Sequence, residues 1–332
     1  MQIIRWGILG CGRIARKFAA DLKYVKDAKL MAVGARALKT AREFANEFPA
    51  EQVHGSYEAL VSDPEVDVIY VASPHALHHE HTILCLNHHK AVLCEKAFAI
   101  NLHQANEMVS LAKSKKVFLM EAVWSKFLPQ FHKAKELVAS GELGEIRSVL
   151  VDFGFIPSPP VPPRLFDPAL GGGSLLDIGI YNVFFALSFL GRPDIIEASM
   201  TPTELGIDEQ CAVLFKYKNG AMAQLFSTLV SNTGTQADIC GTKSRLRLTS
   251  RFYAPSATIE LFSGREDSKK IIPVNKESGS GYQYEARHVG ECLRKGLTES
   301  PVMTHADSLL IMETMDRIRA VAGIHYPADD IK

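Results

Sequence analysis

The chain has 332 residues, which is more than one hydrophobic core usually supports and indicates two domains. Lysine and arginine together number 37, as do aspartate and glutamate, so no net charge favours nucleic acid or an acidic membrane surface as a partner. Hydrophobic residues make up 47% and charged residues 22%, a balance typical of a globular protein, and we expect a small-molecule ligand held in a cleft.

The sequence also bears on the cellular location. No apolar run approaches the roughly 20 residues that span a bilayer, and residues 1–10 lack the basic region and cleavage site of a signal peptide. The cysteines are scattered without a Cys-x-x-Cys pair, at Cys11, Cys85, Cys94, Cys211, Cys240 and Cys292. This spacing favours reduced thiols, and we predict a cytoplasmic protein with no membrane partner.

The first ~120 residues alternate apolar runs with amphipathic stretches. The runs predict buried strands at residues 3–9, 30–35, 68–72, 91–94 and 117–120. The stretches between them have helical spacing, at residues 13–22, 39–47, 56–60, 79–86 and 102–114. This β-α rhythm predicts an α/β fold, a Rossmann domain with a doubly wound parallel sheet over residues 1–122.

The pattern changes after residue 144 into a run of strands. Strand candidates cover residues 146–155, 211–217, 221–228, 236–240, 245–248 and 258–262, and Asn219-Gly220 predicts a hairpin turn. Helices are predicted at residues 175–190 and 306–321. We predict a second, α+β domain over residues 123–332 with a large, mostly antiparallel sheet, and the last helix is free to return to the first domain.

A glycine-rich turn follows the first predicted strand. Residues 10–15 read Gly10-Cys11-Gly12-Arg13-Ile14-Ala15, a G-x-G-x-x-A motif that opens a helix. The first glycine permits the tight turn, the second lets the backbone approach a pyrophosphate, and the small third residue allows close packing of helix and strand. Because the amide groups at the helix start favour negative charge, we predict that this turn binds a dinucleotide.

The end of the second strand indicates which dinucleotide binds. NAD enzymes usually place an acid about 20 residues beyond the glycines to hold the ribose hydroxyls. Here the strand ends at Arg36, Lys39 lies just beyond, and the first acid is Glu43. A guanidinium pairs with a 2′-phosphate that a carboxylate would repel, so Arg36 favours NADP, with NAD still possible. Arg13 and Lys39 are weaker candidates for the same phosphate.

Two further segments carry candidates for catalysis. One buried strand ends in the charged pair Glu95-Lys96, and the carboxyl end of a parallel strand faces the ligand crevice. The other segment, residues 171–181, begins with three glycines, which let the backbone approach a ligand, followed by Ser174 as a helix cap. Asp177 and Tyr181 in this segment are four residues apart and therefore share a helix face.

With these three motifs the chain resembles the Gfo/Idh/MocA oxidoreductase family over essentially its whole length. That family combines a Rossmann domain, a Glu-Lys-Pro motif and a Gly-Gly-Gly-x-Leu-x-Asp-x-Gly-x-His/Tyr motif. Residues 121–127 and 288–296 are most similar to the branch of the dimeric dihydrodiol dehydrogenases, which also oxidise D-xylose with NADP. Here Ala97 stands where the family has proline. Proline fixes φ and lowers the free-energy cost of a cis peptide bond. With alanine, the turn that aims Lys96 must either be held by packing or be abandoned.

The resemblance implies the roles of the candidates. Lys96 would lie beside the nicotinamide, Tyr181 would be the acid/base, and Asp177 would contact the substrate or orient the tyrosine. A free tyrosine has a pKa of ~10. A nearby ammonium favours the phenolate, and this is the role that Lys96 would have. The resemblance further places three residues that follow the strand at 68–72, Ser73, His75 and His78, beside the cofactor. It places Glu95 there as well. Candidates for the substrate pocket are Trp124, Arg147 and Phe153, with a sheet-core role as the alternative for Phe153.

Some alternatives remain open at this point. The histidines of residues 75–81 could hold a metal through a shared helix face, but no carboxylates or cysteines complete a site, so we expect cofactor contact or solvation and no metal. The leading function is an NADP-dependent oxidoreductase acting on a sugar or diol carbinol. Two alternative functions are compatible with the same fold. One is a reductase of another small carbonyl substrate, and the other is a non-catalytic regulator that senses NADP. By analogy with the family, we expect a homodimer or a higher homo-oligomer formed through the large sheet.

Overall fold

The structure, a computed structural model, describes residues 2–264 and 268–330. These residues form two compact units. The first unit comprises the chain up to Lys126 together with Glu277–Leu309, and the second comprises Phe127–Lys276 and the chain from Leu310 onward. The division into domains at residues 1–122 and 123–332 stays a prediction, and residues 277–309 group with the first unit.

The first unit is built on a parallel sheet with the strand order β3-β2-β1-β4-β5-β6 among its described residues. The strands are β1 (Ile4–Leu9), β2 (Ala28–Gly34), β3 (Gln52–His54), β4 (Val68–Val71), β5 (Ala91–Glu95) and β6 (Leu119–Ala122). The helices that connect them are α1 (Arg13–Leu22), α2 (Leu38–Glu47), α3 (Tyr57–Val61), α4 (His78–Asn87) and α5 (Leu102–Lys115). This is the predicted doubly wound Rossmann sheet.

The strand order determines where the ligand crevice of this sheet lies. The chain builds outward from β1 to β2 and β3 on one side and from β4 to β6 on the other, so the order reverses between β1 and β4. At such a switch point the loops after the strands diverge and leave a crevice for a ligand. The central strands are continuous apolar runs because helices cover both faces, and every residue of β4 and β5 is buried.

The second unit is built on a larger sheet. The helices that precede and cover it are α6 (Pro129–Ala139) and α7 (Ile180–Leu190). Its described strands are β7 (Ile146–Gly154), β8 (Ile195–Pro202), β9 (Asp208–Lys216), β10 (Met222–Thr228), β11 (Ala237–Gly241), β12 (Ser244–Leu248), β13 (Ile259–Ser263) and β14 (Ser268–Ile272). They lie in the order β14-β13-β12-β11-β7-β10-β9-β8. Only β7 and β10 pair in parallel among these described strands, which confirms the predicted, mostly antiparallel sheet.

Two local features of this sheet follow from the sequence. The predicted hairpin at Asn219-Gly220 joins β9 to β10, and Gly220 has a φ of +82°, a conformation that favours glycine. Along β7, Val149 and Val151 are buried whereas Leu150 is 41% exposed, as expected for a strand with one covered face. Helix α7 packs on this covered face, against β7 and β10.

Two helices follow the large sheet, α8 (Tyr282–Arg294) and α9 (His305–Ala322). Helix α9 matches the predicted helix at residues 306–321. The predicted helix at residues 175–190 is divided into a single wide π turn, Leu175–Gly179, and α7. The one-helix prediction is correct in extent, because residues 174–190 are helical without a break, and only the π winding of the first turn was not predicted.

The segment Pro168–Leu190 is long and apolar enough to cross a membrane by composition alone, with a mean hydropathy of 1.5. The expectation that no apolar run approaches this length is corrected. However, 83% of its most apolar window is buried inside the fold, as in the core helix of a globular unit.

Candidate active site

The glycine turn after β1 has the geometry that a dinucleotide requires. Gly10 has a φ of +96°, and a Cβ atom there would lie 3.1 Å from the carbonyl oxygen of Ala72. Gly12, directly before α1, is exposed, and a Cβ atom there would meet no atom within 4 Å. Within α1 and its cap, no side chain caps the helix start and the first turn holds no acid. These residues fit a pyrophosphate group, which needs close backbone approach and free amide donors.

Positive charge lies at the end of β2. The side chain of Arg36 is exposed. Burial raises the pKa of Tyr57 against the opposing charge of Arg36, and burial lowers the pKa of His81 with the charge of Arg36 acting in the same direction, so the guanidinium lies near these two rings. Lys39 extends into solvent and lies 4.0 Å from Glu43 on the next helical turn. Arg13 and Ile14 open α1, Arg13 exposed and Ile14 partly buried. This edge can therefore attract a phosphate group on the adenosine side of a dinucleotide.

His75, His78 and His81, which follow β4, are buried. His78 is fully buried, with Nδ1 2.7 Å from the carbonyl oxygen of Ala97 and Nε2 2.9 Å from that of Ser73. Burial lowers the pKa of His78 to about 4 although both carbonyls favour the charged form. His81 Nδ1 lies 2.9 Å from the hydroxyl of Ser73. The expected cofactor contact by His78 is corrected, because both of its ring nitrogens already face backbone carbonyls.

His75 is buried as well, and its ring lies edge-on to that of His78 at 5.6 Å. His79 turns the other way and pairs with Glu107 at 2.9 Å. Across residues 2–264 and 268–330, no group of three or more histidine, cysteine, aspartate or glutamate side chains has the geometry of a metal site. His78 connects the loop after β4 to the turn after β5 through its contacts with Ser73 and Ala97.

The turn that carries Lys96 is held by a buried carboxylate. Glu95 accepts hydrogen bonds from the hydroxyl of Tyr70, on the neighbouring strand β4, and from the backbone amide of Lys96 at 3.2 Å. The Lys96–Ala97 peptide bond is cis, and Ala97 is completely buried. Alanine therefore holds this turn by packing, in the place where the family has proline. Lys96 itself is half-buried.

Further buried carboxyl groups surround this turn within the first unit. Glu121 accepts the amide proton of Phe98 at 3.1 Å, and burial raises its pKa to about 7. Glu285, on α8, is completely buried, and neither carboxyl oxygen has a hydrogen-bond partner among the described residues. Burial and the neighbouring charges of Glu95 and Asp21 raise the pKa of Glu285 well above its ordinary value. The protonated form is favoured there because ionisation would bury an unsolvated charge.

Trp124 is not an open pocket wall in this unit. Its indole is buried and stacks on the ring of Tyr282, with centroids 4.5 Å apart and planes inclined by 5°. One face of the indole is thus covered by Tyr282, and the substrate contact by Trp124 stays a prediction.

In the second unit, two of the three glycines before the π turn, Gly172 and Gly173, closely approach protein groups. A Cβ atom at Gly172 would lie 2.8 Å from the amide nitrogen of Asp167, and one at Gly173 would lie 2.3 Å from Asp208 Oδ1. The carboxylate of Asp208 accepts the Ser174 hydroxyl at 2.7 Å and the amide of Leu175 at 2.6 Å. Asp208 therefore caps this helix start, which corrects the predicted cap by Ser174. Burial raises the pKa of Asp208 to about 6.

Asp177 and Tyr181 follow on the π turn and on α7. Both are 7% exposed. The amide of Asp177 donates to the Gly173 carbonyl at 3.2 Å, and Asp177 Oδ1 accepts a hydrogen bond from Arg164 Nη1 at 3.1 Å. A single π turn inside a helix is frequently found at functional sites. The structure thus pairs Asp177 with Arg164, a residue for which the sequence offered no periodic or motif signal.

An aromatic cluster surrounds the ring of Tyr181. Its ring centroid lies 5.0 Å from that of Tyr253 and 5.9 Å from that of Phe153. Phe153 and Tyr253 stack on each other at 4.4 Å, and Phe252 meets Phe153 edge-on. The structure therefore brings Phe153, Asp177 and Tyr181 together in the second unit. Such a wall of ring faces suits an apolar ring or the C–H face of a sugar.

Arg147 does not join this cluster. It is exposed at the start of β7, pairs with Glu145 at 2.9 Å and donates to the carbonyl of Asn219. Six residues of extended strand, about 20 Å, separate it from Phe153. The predicted role of Arg147 in the substrate pocket is corrected, because the length of β7 carries its side chain to the opposite end of the sheet.

The parallel sheet, the glycine turn and the uncapped start of α1 define a dinucleotide-binding protein. Residues 4–123 match the model described as the oxidoreductase family with an NAD-binding Rossmann fold, and residues 131–247 match the GFO/IDH/MocA C-terminal domain. The chain belongs to this Gfo/Idh/MocA oxidoreductase family, and its cofactor is NAD(P).

Relatives of known name and structure cover nearly the whole chain. It is 37% identical over 331 residues to the trans-1,2-dihydrobenzene-1,2-diol dehydrogenase of Xenopus tropicalis, covering 97% of this chain and 99% of the relative. The mouse enzyme of the same name is 38% identical, with 98% and 99% covered. A crystal structure of KijD10, a 3-ketoreductase from Actinomadura kijaniata in complex with NADP and TDP-benzene, superposes with a TM-score of 0.86 at 26% identity, covering 98% and 99% of the two chains.

Proposed function

We propose that this chain is an NADP-dependent dehydrogenase that oxidises a carbinol of a sugar or vicinal diol, with Tyr181 as the acid/base. The observation that carries the proposal is the setting of Tyr181, whose ring lies in an aromatic cluster one turn beyond the Arg164–Asp177 pair. Aromatic faces and a charged hydrogen-bonding pair are the groups that recognise a polyhydroxylated ring. The names of the relatives, which are diol dehydrogenases, support the same substrate class.

The residues of this chain account for the proton in such a reaction. When bound, the nicotinamide accepts or supplies the hydride. Oxidation of the carbinol also releases the hydroxyl proton, which the phenolate oxygen of Tyr181 takes up, and in reduction the phenol returns it. Asp177 accepts a hydroxyl proton of the substrate in a hydrogen bond and fixes its orientation. We carry Lys96 into the proposal on the family resemblance, as the positive charge that favours the phenolate.

The proposal includes a preference for NADP over NAD. Arg36 is exposed at the end of β2, close to Tyr57 and His81, and the sequence has no acid before Glu43 to bind ribose hydroxyls. The NADP complex of the 3-ketoreductase supports the same choice. Ser73, His75 and Glu95 are retained as residues of the proposed cofactor site, because Ser73 and His75 follow β4 and Glu95 ends β5, at the carboxyl edge of the parallel sheet.

One alternative has a specific observation in its favour. The solved relative is a 3-ketoreductase, so reduction of a ketone on a larger sugar derivative is the second candidate for this site. The same residues serve both directions, because the phenol that gives a proton in reduction takes one in oxidation. A regulator that only senses NADP would show binding of the dinucleotide without turnover.

We also propose a homodimer formed through the outer face of the large sheet, in the cytoplasm. That face bears a shallow groove of about 730 Å³ with Leu150, Leu214 and Phe226 among its lining residues. Leu150 is 41% exposed, which is unusual for a strand residue at the centre of a sheet. Sedimentation of the wild-type protein and of Leu150→Glu tests this proposal. We expect the wild type to sediment as a dimer and the variant as a monomer.

The test of the function measures absorbance of reduced nicotinamide with a panel of sugars and vicinal diols. Wild type should turn over at least one of them faster with NADP than with NAD. Tyr181→Phe should bind NADPH within twofold of wild type and lose at least ~100-fold in kcat, the size of a general acid–base contribution. Tyr24→Phe, a partly exposed tyrosine in the first unit, is the matched control. If Tyr181→Phe retained the wild-type kcat, Tyr181 would not be the acid/base.

A further inference from the structure

The C-terminal segment of the second unit reaches the glycine turn that leads to Asp177. The hydroxyl of Tyr326 donates a hydrogen bond to the carbonyl oxygen of Gly172 at 2.6 Å, and the whole residue is 1% exposed. Burial, together with the charges of Asp208, Asp329 and Asp177, raises the pKa of Tyr326 well above its ordinary value against the opposing charge of Arg319. The phenol therefore stays protonated and serves as a fixed donor.

The segment that carries Tyr326 is itself fastened to α9. The ring of Tyr326 lies 5.1 Å below the guanidinium of Arg319, which pairs with Asp329 at 2.7 Å and with Asp316 at 2.5 Å. The amide of Tyr326 donates to the same carboxylate of Asp329 at 2.9 Å. Arg319 is 5% exposed, and a buried guanidinium with two carboxylate partners has little freedom to move.

Gly172 lies between this hydroxyl and the loop of Arg164. Its amide donates to the carbonyl of Asp167 at 2.9 Å, and there is no room for a Cβ atom against the backbone of that loop. The next residue, Gly173, accepts the amide proton of Asp177. One peptide unit thus separates the contact of Tyr326 from the hydrogen bond that fixes Asp177.

We propose that Tyr326 is a positioning residue that holds the turn carrying Asp177 and Tyr181 by anchoring Gly172. Its catalytic consequence rests on the proposed function of Tyr181. The anchoring itself is a property of the second unit and can be measured without turnover.

The second unit offers a matched control. The hydroxyl of Tyr217 donates to the carbonyl of Gly191 at 3.1 Å, at the C-terminal end of α7. Tyr326→Phe and Tyr217→Phe therefore remove the same kind of bond, from tyrosine hydroxyl to glycine carbonyl, near opposite ends of the helical segment that carries Tyr181. Both variants keep the aromatic ring and its packing.

The experiment compares amide hydrogen exchange and steady-state kinetics of the full-length variants. Tyr326→Phe should exchange at least tenfold faster over residues 172–181, and its kcat should fall at least tenfold with the KM for NADP within twofold. Tyr217→Phe should leave the exchange rate over residues 172–181 unchanged, and its kcat should also be unchanged. In the Tyr181→Phe background, adding Tyr326→Phe should cause no further loss of the residual rate, because residues that act through one another are not additive.

The outcomes separate this inference from the function on which it rests. Faster exchange over residues 172–181 in a protein that oxidises no sugar or diol supports the anchor and defeats the proposed function. An active wild type with unchanged exchange in Tyr326→Phe overturns the anchor and leaves the function standing. An equal loss of rate in the wild-type and Tyr181→Phe backgrounds also overturns it, since that is the pattern of a general structural role.

Discussion

Arg164 Nη1 lies 3.1 Å from Asp177 Oδ1, so the carboxylate on the π turn is held by a guanidinium from the loop before it. The side chain of Asp177 is 10% exposed and that of Arg164 is 35% exposed. A nearly buried carboxylate with a charged donor at its rim keeps its orientation.

Arg164→Met should lower kcat/KM for the sugar or diol about tenfold, equivalent to about 1.4 kcal/mol of transition-state stabilisation. The reason is that Asp177 loses the donor that aims it. Arg164→Lys should recover part of the loss because an ammonium supplies one of the same hydrogen bonds. Arg192→Met, which breaks a surface pair with Glu313, is the control and should stay within twofold. Equal effects of the two methionine variants would contradict the prediction.

Arg36→Leu should raise the KM for NADP at least tenfold and leave the KM for NAD within twofold. A guanidinium that pairs with the 2′-phosphate contributes nothing to a dinucleotide that lacks it. Parallel titrations with the two cofactors measure the change. Lys29→Leu, at the start of the same strand and paired with Glu51, is the control. A loss shared equally between NAD and NADP would show that Arg36 acts on the fold of β2 rather than on the phosphate.

His78 should make the protein sensitive to acid. Its pKa is lowered from 6.5 to about 4, mainly by burial, so the unfolded chain binds a proton at a pH where the folded chain does not. Its contribution is therefore intact above pH 6.5 and is lost as the pH falls toward 4, by about 3 kcal/mol at most. Urea midpoints at pH 7, 5.5 and 4.5 should fall in wild type and fall less in His78→Asn. His103→Gln, exposed on α5, should follow wild type.

Glu285→Gln should have the opposite dependence on pH. The folded-state pKa of this buried carboxyl is raised, so its stabilising effect is complete below the unfolded pKa of about 4.5 and is lost as the pH rises. An amide has no proton to lose, so the urea midpoint of Glu285→Gln relative to wild type should increase steadily from pH 5 to pH 8. The exposed residue Glu142 provides the control, Glu142→Gln. A constant difference across this range would refute the assignment of a protonated Glu285.

The sequence predicted the local features well. Five of the six described strands of the parallel sheet, all but β3, and the G-x-G-x-x-A turn are recognisable because their pattern lies within a few neighbouring residues. The hairpin at Asn219-Gly220 was predictable for the same reason. Strand β14, which reads Ser-Lys-Lys-Ile-Ile and is exposed over its first four residues, gives no alternating pattern and was missed. Helices α6 and α8 were missed as well.

The site was less predictable because its contacts are distant along the chain. The histidine motif suggested a ligand or a cofactor contact, but His78 bonds to the carbonyl of Ala97, 19 residues away. The cap at Ser174 is replaced by Asp208, 34 residues from its partner. Tyr326 lies 154 residues from Gly172. Asp208 and Tyr326 have no motif of their own, and all three groups acquire their roles only when the fold brings them to a buried backbone group.

The inclusion of Glu277–Leu309 in the first unit has a consequence for synthesis on the ribosome. Asp21 receives hydrogen bonds at 2.8 and 2.9 Å from the amides of Ser280 and Tyr282, and His305 Nε2 lies 3.0 Å from the carbonyl of Leu119. The cofactor-binding half, though translated first, lacks these partners until the large sheet has emerged. A nascent chain released at residue 126 would expose the uncovered flank of α1, and we expect it to require a chaperone or to aggregate.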